Sequence, residues 1–93
     1  MNQIPKRDKY AEEIARIREI VGRHALPEFV TGFDVRLGEF DGDPAMWITF
    51  HTTEAGSDAE LNRQVAEVAT LRQKVQTDLL EAFEDRFPYF RID

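Results

Sequence analysis

The chain has 93 residues, 42% hydrophobic and 11% aromatic, which is enough apolar material for one packed core and too short a chain for two. Its 18 acidic residues against 12 Lys and Arg give a formal charge of −6; this disfavours phosphate-backbone binding, whose affinity comes from neutralisation by Lys and Arg. The absence of cysteine excludes disulfides, thiolate metal sites and thiol nucleophiles, and fits a reducing compartment.

No apolar run approaches the roughly 20 residues that span a bilayer. The charged residues 1–9 are not followed by the apolar stretch of a signal peptide. The sequence therefore reads as one soluble, cytoplasmic domain with no membrane partner.

From Asp8 to about His24, Tyr10, Ile14, Ile17 and Val21 recur at spacings of three and four, the stripe of an amphipathic helix. Pro5 and Asp8 are start signals and Pro27 is the stop. Glu12 and Arg16 are placed for an i,i+4 ion pair on the wet side, and Arg23 and His24 put positive charge at the negative end of the helix dipole.

Between Phe29 and Thr53 the period becomes twofold. Phe33, Val35 and Leu37 alternate with Asp34 and Arg36, and Met46, Ile48 and Phe50 alternate with Trp47, Thr49 and His51, which predicts two strands. Phe40-Asp41-Gly42-Asp43-Pro44 supplies the turn residues of an antiparallel hairpin. One face of that hairpin is apolar; the other carries Asp34, Arg36, Trp47, Thr49 and His51 and is left to solvent or to a partner.

Ser57-Asp58-Ala59-Glu60 has the capping-box pattern. After it, Leu61, Val65, Val68, Leu71, Val75, Leu79, Leu80, Phe83 and Phe87 recur at helical spacing with no Gly or Pro before Pro88. A helix running unbroken from Asp58 to Phe87 would be about 45 Å long and would overhang strands of about 20 Å. Either it breaks near Thr70 or part of it packs outside the monomer. Beyond Pro88, Tyr89 to Ile92 reads as a short third strand.

Charge is concentrated in the middle third. Residues 26–60 hold one base, Arg36, against Glu28, Asp34, Glu39, Asp41, Asp43, Glu54, Asp58 and Glu60. Such a segment favours a cationic ligand or a basic protein surface, or it simply solubilises one face.

The chemistry-bearing residues are few. His51 on the open face, near Glu54 and Asp58 in sequence, has the residue type of a general base or metal ligand. The same position suits a strand histidine bonded to a neighbour. Glu39, Asp41 and Asp43 alternate around Gly42 but lie between strands and lack the remaining ligands of a calcium loop. Ser57, the one serine, is explained by helix capping, with no nucleophile elbow around it. Gly22-Arg23-His24-Ala25 fails as a KH-type glycine loop at its fourth position, and the five glycines are scattered, leaving no phosphate-binding fingerprint.

The sequence thus indicates an α+β domain ordered α-β-β-α-β, with two helices packed on one face of a small three-stranded sheet. It indicates no cofactor, no metal, no catalytic residue and no nucleic-acid partner. The function it points to is a protein-interaction or regulatory module that self-associates as a homodimer through the second helix or the open sheet face. Trp47, His51, Tyr89, Val68 and Val75 are the expected contact residues. Two alternatives fit the same residues: an acidic inhibitor or antitoxin-like partner of a basic, nucleic-acid-directed protein, and a small enzyme using His51 with Glu54 or Asp58 as general base.

Overall fold

The first helix forms where the stripe predicts it, with shifted ends. In the computed structural model, which describes residues 6–93, α1 spans Lys6–Gly22. Pro5 lies outside the described residues, and Asp8 falls inside the helix and not at its cap. The chain leaves α1 through tightened i→i−3 bonds, from the Arg23 amide to Ile20 O at 3.3 Å and from the His24 amide to Val21 O at 3.2 Å, so the helix closes well before Pro27. Arg16 does not pair with Glu12 as expected; it lies over the Phe83 ring at 5.4 Å, and the i,i+4 ion pair at this end joins Glu19 to Arg23 at 2.8 Å.

Strands β1 (Val30–Phe40) and β2 (Asp43–Thr52) form an antiparallel hairpin. The connection is shorter than the five-residue segment expected: Asp41 and Gly42 alone make the turn, with φ of 54° and 87°. Two consecutive positive φ values match the right-handed twist of the flanking strands, and Asp-Gly is the pair that adopts them at least cost. Helix α2 (Asp58–Ala82) follows, and strand β3 (Phe87–Ile92) then returns beside β2 in parallel, giving the sheet order β1-β2-β3.

Ser57 caps α2 by accepting from the Glu60 amide at 3.1 Å. The Glu60 carboxylate reaches past the cap to the Gly56 amide at 2.9 Å, a capping box displaced by one residue. At the other end the helix stops at Ala82, ahead of the expected Phe87, and Phe83 is already extended at φ −128°. The sequence there carries no stop signal; tertiary contacts end the helix, because Phe83 is drawn into the core and Arg86 is tied to other elements.

The shorter helix removes the expected overhang. At 1.5 Å per residue its 25 residues span about 37 Å, and the 10 residues of β2 span about 34 Å. It does not break near Thr70, and the middle of its stripe is covered while Leu61, Val65 and Leu80 remain exposed. Val68, Leu71, Val75 and Leu79 are buried with Ile17, Ile20 and Val21 of α1 against Val30, Met46, Ile48 and Phe50 of the sheet. Val68 and Val75, expected at an interface, are 4% and 0% exposed within this single chain, so their apolar surface is already spent. Helix α1 packs over β1 and α2 over β3, both on the same side.

Candidate binding surface on the open sheet face

Twofold alternation places Asp34, Arg36, Gly38 and Phe40 of β1, Ala45, Trp47, Thr49 and His51 of β2, and Phe87, Tyr89 and Arg91 of β3 on the side turned away from the helices. Register aligns them in rows: Arg36, Trp47 and Tyr89 form one, Asp34, Thr49 and Arg91 the next. The face divides into an aromatic half beside the hairpin turn and an ionic half at the opposite end.

In the aromatic half, Trp47 and Tyr89 stack at 4.9 Å with 26° between their planes. Phe40 lies 4.6 Å from Tyr89 and 6.0 Å from Trp47, and Phe87 is 5.3 Å from Tyr89. Offset and tilted rings at such separations are the favoured arrangements. Gly38 makes room here: a Cβ there would sit 3.6 Å from the Trp47 Nε1, so the pyrrole edge of the indole packs against β1. Ala45 is completely covered, while Phe40 and Phe87 are 48% and 46% exposed. The sequence-expected residues Trp47 and Tyr89 are therefore brought together, and Phe40 and Phe87 join them.

Carboxylates border this patch. Asp41 and Asp43 at the hairpin end and Glu84 and Asp85 before β3 are all exposed, and a surface depression lined by Asp43, Leu80, Glu84, Asp85 and Phe87 joins the two groups; Glu39 turns to the helix side with Tyr10 and Ile14. Arg86, the base in that stretch, is turned inward. Its Nε donates to Glu13 Oε2 at 3.0 Å, and Nη1 donates to the carbonyls of Gly38 and Ala45 at 3.3 and 3.2 Å. This clasp between α1, the hairpin and the start of β3 was invisible in the sequence, where Arg86 is one more helical charge beside Glu84 and Asp85.

In the ionic half, His51 Nε2 is 2.6 Å from Asp34 Oδ2 and Nδ1 is 3.4 Å from Asp93 Oδ2. Glu54 and Asp58, the partners expected from proximity in sequence, are not the groups that meet it. The hydrogen bond to Asp34 raises the His51 pKa above the ordinary 6.5; desolvation opposes the rise, and the charges of Asp34 and Asp93 add to it. A depression of about 510 Å³ beside it is lined by Asp34, Arg36, Trp47, Thr49, Arg91 and Asp93 among others. It lies on the open face, not between sheet and helices. A carboxylate stands near each ring nitrogen, an arrangement that favours the protonated imidazolium. Among the described residues no group of three or more His, Asp or Glu side chains is arranged to hold a metal ion, and Ser57 serves only its helix cap.

The second histidine, His24, is part-buried with Nε2 2.7 Å from Asp78 Oδ2. It fastens the end of α1 to α2. No helix of the described residues is long and apolar enough to cross a membrane. No protein family, no curated protein and no solved structure matches the chain.

Proposed function

We propose that this chain is a protein-interaction module without chemistry of its own, and that the acid-bordered aromatic patch Phe40, Trp47, Phe87 and Tyr89 receives a basic protein segment. The observation that carries the reading is the conjunction of two half-exposed phenylalanines, a stacked Trp–Tyr pair and four carboxylates at one end of a sheet face that no helix covers. Aromatic side chains anchor protein interfaces at their energetic centres. Rings with accessible faces attract Arg and Lys by their quadrupole, and the surrounding carboxylates add steering and selectivity for a basic partner. The acidic middle third of the sequence contributes Asp41 and Asp43 to this border.

Octa-arginine is a suitable probe, with Trp47, the one tryptophan, as the fluorescent reporter. Saturable quenching that weakens steeply between 50 and 300 mM salt, about tenfold or more, is the expected result. Phe87→Ser should weaken binding by roughly tenfold, the scale of one lost anchor, while Glu28→Gln, away from the patch, should leave it within about twofold. Equal binding by the Phe87→Ser and parent chains would refute the assignment, because net charge alone would then account for the affinity.

A further inference from the structure

We infer that two copies of this chain join along β3, antiparallel and centred on Phe90, to make one continuous six-stranded sheet. The argument starts from the backbone of the edge. Asp93 donates to Phe50 O and accepts from the Thr52 amide, at 2.9 and 3.0 Å. In a parallel ladder alternate residues bond the same neighbour, so Phe87, Tyr89 and Arg91 face β2, and Pro88, Phe90 and Ile92 turn their backbone outward. Pro88 sits where its missing N–H costs the monomer nothing. Phe90 and Ile92 present donors and acceptors to the free edge.

The two edges of the sheet are treated differently. β1 carries a register shift between Val30 and Gly32 and the residues Asp34, Arg36 and Glu39, which are the features that blunt an edge against pairing. β3 has no bulge and one charge, Arg91, with Pro88 withholding a donor only at its start. Exposed apolar side chains gather at it as well. Phe87 and Ile92, 46% and 53% exposed, lie on the strand. On α2 the buried residues face the sheet, and Arg63, Glu67, Thr70 and Lys74 border the α1 side. By helical spacing this turns Leu61 and Val65, 50% and 53% exposed, toward β3. Leu80 meets Phe87 in the same surface depression.

Charge selects both the occupant and the register. With Phe90 opposite its own copy, Phe90 donates to and accepts from Phe90 of the second copy, and Ile92 donates to the Pro88 carbonyl of the second copy. Tyr89 then lies directly across from Arg91 of the second copy, a cation beside an electron-rich ring, and Phe90 meets Phe90 on the apolar side. A register centred on Arg91 keeps as many hydrogen bonds but sets Arg91 against Arg91, a like-charge pair directly opposed. One centred on Tyr89 leaves Ile92 unpaired. In the favoured register the Arg91 of each copy borders the other copy's aromatic patch, so the two patches become one surface.

The absence of native cysteine makes the test direct. Light scattering of the parent at 100 µM should give a dimer mass. Ile92→Pro removes an outward donor and leaves the β2 ladder intact, and it should shift the chain to monomer by at least tenfold in dissociation constant with its circular dichroism retained. The variant carrying both Tyr89→Cys and Arg91→Cys should form a covalent dimer under mild oxidation. Arg91→Cys alone should not, because that pair is offset beyond disulfide reach. A monomeric parent, or an Ile92→Pro chain that stays dimeric, overturns the inference; ready cross-linking of Arg91→Cys alone overturns the register. Octa-arginine quenching of monomeric Ile92→Pro reports separately on the aromatic patch.

Discussion

His51 illustrates how one residue type acquires its role from its neighbours. A strand histidine near two acids in sequence reads as a general base. The hairpin register instead delivers Asp34 from β1, and the end of β3 delivers Asp93. Neither partner is close to His51 in sequence, so no spacing rule reaches them. The raised pKa has a definite sign for stability. Because the folded value exceeds the unfolded value near 6.5, the ion pairs contribute fully below about 6.5 and their contribution is lost as pH rises through the folded value. In an NMR titration of the His51 ring the midpoint should lie above 6.5 and should fall toward it in Asp34→Asn. A parent midpoint at or below 6.5 would contradict the assignment.

At the scale of elements, what the sequence makes legible is what local periodicity controls. The twofold runs around Val35 and Ile48 and the helical stripe from Leu61 to Leu79 identify two strands and a helix, and Asp41-Gly42 identifies their turn. Boundaries depend on long-range contacts and are less legible. Glu84, Asp85 and Arg86 are competent helix residues, yet α2 ends at Ala82 because Arg86 satisfies Glu13 and two sheet carbonyls. That clasp is only 13% exposed at the arginine. Removing it strands a half-buried carboxylate and two carbonyls, so Arg86→Ala should cost about 1–3 kcal/mol in urea unfolding. Arg86→Lys should recover only part, since a point charge cannot reproduce the guanidinium's several directed donors. A loss under about 0.5 kcal/mol would show that the clasp is dispensable. The same shift of boundary explains Val68 and Val75: once α2 matches the length of β2, the middle of its stripe is consumed by the monomer, and the apolar surface left for a second chain lies at Leu61, Val65 and Leu80 and along the edge of β3.

Over the whole molecule, two helices cover one side of the sheet and leave the other side to Trp47 and its neighbours. Sequence alone placed Trp47 on that side and named Tyr89 as a contact. It could not join Phe87 to them or fix the face that Tyr89 takes, because the four aromatic residues come from three strands and meet only through register. Nor could it show that Arg86 faces inward, away from the acidic border. The central claim is that this border and the rings inside it form one recognition surface for basic protein segments. The most direct measurement is a ¹⁵N-resolved NMR titration with octa-arginine. The Trp47 indole N–H and the amides of Phe40, Phe87 and Tyr89 should shift together and saturate at one affinity, while those lining the groove between Leu26 and Thr70 stay in place. Shifts scattered over every acidic segment, or centred on Glu54 and Glu60, would contradict it.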